Sequence, residues 1–168
     1  FETYRPHFRG GFARLAREGT LFVNGYQSHS ATETCPGHST LLTGRHPAAT
    51  GIVANSWIDQ AAARTDKDIY CSEDERAPGT SFTNYRVSPE HLRVSTLGDR
   101  LKTANRRNRN YAIAGKDRAA VMMSGRAADG RWYWNGKTYA TDVKTAPVPA
   151  SVPAFNATLA AALAQPRA

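Results

Sequence analysis

The run Thr32-Glu33-Thr34-Cys35-Pro36-Gly37-His38-Ser39-Thr40-Leu41-Leu42-Thr43-Gly44 decides how the rest of the chain is read. Proline suits a first helical turn, where its missing N–H is not needed, and glycine closes a helix cheaply, so residues 36–44 read as a short helix. Thr34 and Cys35 then lie at its mouth. The first N–H groups of a helix have no intrahelical acceptor and favour an anion, and a phosphoryl group fits such a place. Thr34 is therefore either a helix cap or a nucleophile. In the second case its weakly acidic hydroxyl needs an agent, such as a metal ion, that holds it as the alkoxide.

Outward from this helix, strands and helices alternate. On the N-terminal side, Phe12, Leu15 and Ala16 recur at helical spacing, with Arg14, Arg17 and Glu18 opposite and Gly19 as the stop. LFVNGYQ at 21–27 reads as a strand, and FETYRPHF reads as the middle of a helix, so the chain reads as a piece of a longer one. On the C-terminal side, 45–51 is turn-like and GIVANSWID is apolar. Residues 60–90 form a polar, irregular excursion with weak strands. A helix is expected over 96–106 with Ser95 as N-cap, then a buried strand at 111–115, a second strand at VMMSG, and a hairpin around Asn135-Gly136. A last helix begins at Ala154. This order predicts an α/β architecture with a largely parallel sheet.

Composition excludes some classes. The 168 residues carry 22 Lys+Arg against 14 Asp+Glu, a net charge of +8, and 40% are hydrophobic. That is enough apolar content to bury a core, so disorder throughout is excluded. No run approaches the eighteen apolar residues of a membrane span. Two cysteines, Cys35 and Cys71, are too few for a disulfide scaffold and lack zinc-knuckle spacing; they read as buried thiols or one bridge. The basic balance attracts polyanions in general. Its densest run, Asn105-Arg106-Arg107-Asn108-Arg109-Asn110, has no interleaved aromatics for base stacking and reads as the solvated end of a helix.

Two distant segments add to Thr34. Asn55 closes the apolar GIVAN run, where it is a turn residue or an amide donor to a phosphoryl oxygen. Lys116 and Arg118 follow a strand, as a solvated loop end or as a point charge and a planar fork for a phosphoryl group; in an extended turn they point to one side. The ordered set TxTxPGHxTxxTGxxP, an Asn 21 residues after Thr34 and K-D-R beginning 82 residues after it resembles the threonine-nucleophile, PafA-type alkaline phosphatases. These lie beside the nucleotide pyrophosphatase/phosphodiesterases in the alkaline phosphatase superfamily. The likeness runs over nearly the whole chain, including Gly10-Gly11-Phe12, SGRAADGRWYW and Pro153-Ala154-Phe155-Asn156.

The resemblance implies the N-terminal part of one alkaline-phosphatase-like catalytic domain over 1–168, a partial three-layer αβα sandwich. It implies Thr34 as the nucleophile that becomes a phosphothreonine, with Asn55, Lys116 and Arg118 binding the phosphoryl oxygens of a small-molecule phosphate ester. The Lys/Arg pair looks like a monoesterase feature. Two zinc ions are implied, one on the Thr34 oxygen and one at the leaving group. The family's Asp and His ligands are not matched by His7, His29, His38, His46 or His91, so those ligands are expected outside this chain and the remainder of the parent is needed for activity. Asp117 is expected to orient the backbone or its neighbouring cations. The resemblance further implies a periplasmic or secreted enzyme and no nucleic-acid partner. The alternatives are a phosphodiesterase or nucleotide pyrophosphatase, and a non-catalytic basic module that binds nucleic acid.

Overall fold

A computed structural model describes residues 2–145 and 147–165. Its helices are α1 (Gly10–Glu18), α2 (Thr34–Thr43), α3 (Pro47–Thr50), α4 (Leu97–Ala104), α5 (Asp117–Ser124) and α6 (Ser151–Leu163). The strands are β1 (Ser56–Ile58), β2 (Asp68–Tyr70), β3 (Tyr111–Ala114), β4 (Gly130–Trp134) and β5 (Tyr139–Ala140). β1 and β2 pair antiparallel, with Trp57 opposite Ile69. β3 and β4 pair in parallel, Tyr111 opposite Gly130, with α5 as the crossover between them. β4 turns back on β5 through Asn135-Gly136, where Gly136 takes φ of 97°. The β3–α5–β4 unit is the α/β signature that the alternating pattern predicts.

Local chemistry explains most boundaries. α2 ends where Gly44 takes a left-handed φ of 65° and its N–H reaches the Thr40 carbonyl. α4 opens on a reciprocal cap: Asp99 N–H donates to Thr96 Oγ1 and Thr96 N–H donates to Asp99 Oδ2. The N-cap is thus Thr96 and not Ser95. Asp99 Oδ1 also accepts from the N–H groups of Arg126 and Ala127, so the same carboxylate fixes the chain leaving α5. Gly125 lies between them at φ of 68°, and a Cβ there would fall 2.2 Å from Asp99 Oδ2.

The core sits between α2, α5 and the excursion. Cys35 of α2, Ile52, Tyr70, Cys71, Leu92, and Val121 and Met122 of α5 form one buried cluster, with Trp57, Phe82, Tyr85 and Val87 packed around it. The irregular excursion is therefore structural as well as polar. It is pinned by a buried pair, Arg64 with Glu73, at 2.7 Å, and Glu73 is fully buried. The second Glu73 oxygen accepts from Arg64 Nη1 at 2.8 Å, and this bonding pushes the Arg64 pKa up.

Six expectations need correction. VMMSG is not a strand: Val121, Met122, Met123 and Ser124 are the last turn of α5, where a short apolar run is ambiguous by period alone and Asp117 favours a helix start. Residues 21–27 form no strand, and Leu21, Phe22, Val23 and Tyr26 are exposed, because no strand pairs with them among the described residues. β3 is not buried: Tyr111 and Ile113 are exposed, since its edge away from β4 pairs with no described strand. The FETYRPHF segment holds one 3-10 turn, Arg5–His7, in place of a longer helix. The last helix starts at Ser151 rather than Ala154, and the helix over 96–106 ends at Ala104. No described helix is long and apolar enough to cross a membrane.

Candidate active site

Thr34 is the first helical residue of α2, two residues earlier than Pro36 suggests. Its preceding residue, Glu33, takes the extended N-cap conformation but makes no side-chain cap. That role passes to Asn55, whose Oδ1 accepts from the Cys35 N–H at 2.9 Å. Glu33 Oε2 in turn accepts from the Asn55 N–H at 2.6 Å. The exchange fixes Asn55 beside Thr34 across twenty residues of chain. It also uses only the carbonyl end of the Asn55 amide. Asn55 Nδ2 and the Thr34 hydroxyl have no hydrogen-bond partner among the described residues. Thr34 borders an open hollow of about 390 Å³ shared with His29, Glu33, Gly37 and His38. His38 Nδ1 lies 2.8 Å from the Thr34 carbonyl oxygen, so it packs within its own helix.

Cys35 bonds to Cys71 in a disulfide, and both are fully buried. The open choice between thiols and a bridge closes on the bridge, and Cys35 has no thiol with which to compete with Thr34. Cys71 N–H donates to the Asn55 carbonyl at 3.0 Å, so Asn55 and Cys35 are both tied to Cys71. The neighbouring residue, Tyr70, faces the other helix. Its hydroxyl donates to Asp117 Oδ1 at 2.8 Å and accepts from Arg118 Nη1 at 3.2 Å. Tyr85 donates to Asp117 Oδ2 at 2.8 Å, and the Arg118 N–H donates to Asp117 Oδ1 at 2.7 Å. Burial, then the neighbouring Asp117 carboxylate, pushes the Tyr70 pKa up; burial, then its hydrogen bond to Asp117, does the same for Tyr85. Both phenols stay protonated donors.

The dipeptide Tyr70-Cys71 thus ties together the mouths of two helices, α2 at Cys35 and α5 at Asp117 and Arg118. Each mouth carries the positive end of a helix dipole. Lys116 is the α5 N-cap, exposed, and its side chain makes no hydrogen bond or ion pair among the described residues. Arg118 is part-buried in the first turn, and its Nε is buried without a partner. The two cations do not stand on an extended turn, as expected; one caps a helix and the other belongs to it, so alternation does not set their directions.

The structure brings Thr34 and Asn55 together directly, and Arg118 to them through Tyr70 and Cys71. Lys116 shares the α5 mouth with Arg118, and the hollow that Thr34 borders is lined by none of Asn55, Lys116 and Arg118. Asp117 holds the Arg118 backbone N–H, as expected, but its side-chain partners are Tyr70 and Tyr85 and not the neighbouring cations. Sequence reasoning misses Glu33, Tyr70 and Tyr85, which carry no motif and act through contacts 22, 47 and 32 residues away in sequence. A group of three or more His, Cys, Asp and Glu side chains that could hold a metal is absent among the described residues.

The model of the type I phosphodiesterase / nucleotide pyrophosphatase family matches residues 2–161. The alkaline phosphatase PhoK of Sphingomonas sp is 52% identical over 167 residues, which is 99% of this chain and 30% of PhoK. A crystal structure of the wild-type alkaline phosphatase PafA superposes with a TM-score of 0.77 at 28% identity, over 92% of this chain and 31% of PafA. A second PafA structure superposes with a TM-score of 0.78 at 26% identity, over the same shares. It carries four substitutions: a threonine to serine, and an asparagine, a lysine and an arginine to alanine. The chain thus has the fold of part of an alkaline phosphatase and spans about a third of the length of these relatives.

Proposed function

Because this chain belongs to the type I phosphodiesterase / nucleotide pyrophosphatase family, we propose that it supplies the nucleophile and the phosphoryl-binding groups of a phosphate monoester hydrolase, an alkaline phosphatase. The observation that carries the reading is the meeting of two helix mouths at Tyr70-Cys71, with the Thr34 hydroxyl, Asn55 Nδ2 and Arg118 Nε lacking hydrogen-bond partners among the described residues. Two positive dipole ends and uncommitted donors suit a tetrahedral anion. Further support comes from the substituted PafA, whose threonine and asparagine stand 21 positions apart and whose lysine and arginine stand two apart, as Thr34 and Asn55, and Lys116 and Arg118, do here.

In this reading Thr34 Oγ1 gives up its proton and forms a bond to phosphorus as the ester P–O bond breaks, the leaving oxygen taking up a proton and departing as the alcohol; water then attacks the phosphothreonine and returns threonine and phosphate. Asn55 Nδ2 donates to one non-bridging oxygen, and Lys116 and Arg118 to others, holding the phosphoryl group in line with Thr34. The resemblance implies two zinc ions. The chain contributes the Thr34 hydroxyl toward such a site and no described set of three ligating side chains, so its own residues do not constitute a zinc site and no step is assigned to one. The full activity belongs to the longer parent, and the isolated chain is expected to be inactive. An exported location, periplasmic or secreted, is part of the proposal; the buried Cys35–Cys71 bridge supports it, since such bonds persist in oxidising compartments.

The test is made in the full-length protein. Thr34→Ala should abolish turnover of an aryl phosphate, and Lys116→Ala or Arg118→Ala should lower it and shift preference toward a bis-aryl phosphate. Retention of most activity by Thr34→Ala refutes the nucleophile. The family's description favours a second reading, a phosphodiesterase or nucleotide pyrophosphatase. Faster hydrolysis of the bis-aryl phosphate than of the aryl phosphate by the unmodified protein would select it.

A further inference from the structure

Arg118 follows an acidic residue and yet makes no ion pair with it. Asp117 is buried, and both of its carboxylate oxygens are already engaged: Oδ1 by the Tyr70 hydroxyl and the Arg118 N–H, Oδ2 by the Tyr85 hydroxyl. A guanidinium beside an unoccupied carboxylate would fold onto it in a two-pronged pair, as Arg131 does on Asp142, and have few donors left for a substrate. Here only Nη1 is engaged, by the lone pair of Tyr70, and the guanidinium carbon stands 5.7 Å from the centre of the Tyr70 ring. Nε remains a buried donor without an acceptor.

We propose that Tyr70 is a positioning residue that, with Tyr85, occupies Asp117 and so keeps the Arg118 guanidinium turned toward the anion site. The inference rests on the phosphoryl-binding reading above and deepens it. Tyr70 passes one bond in each direction, accepting from Arg118 and donating to Asp117, so the carboxylate acts on Arg118 through the phenol rather than by direct capture. Burial holds both phenols in the protonated form that this arrangement needs. The adjoining Cys71, bridged to Cys35, ties the same device to the Thr34 end of the site. Tyr70 touches no substrate in this account.

The test is a double-mutant cycle in the full-length protein, using Tyr70→Phe, Arg118→Ala and the pair. The readouts are kcat/KM on an aryl phosphate, competitive inhibition by inorganic phosphate, and thermal melting. Tyr70→Phe keeps the ring and removes only the hydroxyl, and should weaken both kcat/KM and phosphate inhibition by roughly 3- to 10-fold. With Arg118 already alanine, the same change should cost less than about twofold, because the group it positions is gone. Tyr85→Phe, which frees the other Asp117 oxygen without touching Arg118, is run through the same cycle and should show the same dependence on Arg118; it serves if Tyr70→Phe fails to fold. Equal losses with and without Arg118, or a melting change with phosphate inhibition unmoved, overturn the inference while leaving the site reading intact. An Arg118→Ala protein that loses nothing defeats the role of Arg118 in the site and the inference together.

Discussion

The two ends of the Asn55 amide have opposite chemistry, and substitution can separate them. Its Oδ1 caps α2 at the Cys35 N–H, while its Nδ2 has no hydrogen-bond partner among the described residues and is proposed to donate to the phosphoryl group. Asn55→Ala removes both. The lost cap should cost about 1 kcal/mol and lower the melting temperature. The lost charge-assisted bond should cost about 1.5–3 kcal/mol in the transition state, roughly 10- to 150-fold in kcat/KM. Asn55→Asp restores the acceptor and adds charge at a helix mouth, which should hold stability at or slightly above the native level. It also places a carboxylate against the anion. At about 4 Å and an effective dielectric constant of about 20, that repulsion is about 4 kcal/mol, so activity should fall by roughly a thousandfold. Stability should therefore rank Asp, Asn, Ala, and activity Asn, Ala, Asp. Melting curves and aryl-phosphate kinetics on the three full-length proteins decide the matter. An aspartate variant within threefold of native activity, or activity that simply follows melting temperature, would refute the donor assignment.

Removing the bridge with paired Cys35→Ala and Cys71→Ala should destabilise the protein by about 4 kcal/mol, the chain-entropy value for a separation of 36 residues, read as a lower urea midpoint; a loss below about 1 kcal/mol would contradict a structural role. Asp129 accepts from Lys102 Nζ, the Asn110 N–H and Arg109 Nη1, and the Lys102 bond first, then the Asn110 N–H, draws its pKa down to about 2. A folded-state pKa below the unfolded value of about 3.9 gives stability that is full above about pH 4 and is lost as pH falls toward 2. Asp129→Asn should flatten the stability profile in that window, measured by denaturant melts at stepped pH; an unchanged acid slope would count against it.

The local elements were legible because their signals are local. Gly19 and Gly44 stop helices where the chain needs a terminus, and Asn135-Gly136 turns a hairpin. Thr34, Asn55, Lys116 and Arg118 were singled out by type and order, without any view of what holds them. Periodicity failed where it is weakest, on VMMSG, which is equally apolar as a strand or as the inner face of a helix. It failed again on LFVNGYQ, whose strand pattern has no described partner to complete it.

The sequence by itself determined where most helices and turns lie and which residue types can meet a phosphoryl anion, because capping, turn chemistry and side-chain inventory act within a few residues. Only the tertiary structure decided that α2 and α5 bring their mouths to one dipeptide, that Cys35 and Cys71 bond, and that Tyr70 and Tyr85 take both oxygens of Asp117. Those contacts join residues 32 to 47 positions apart. Their partners are selected by burial and by the need to satisfy polar groups in the core, which no short window of sequence contains.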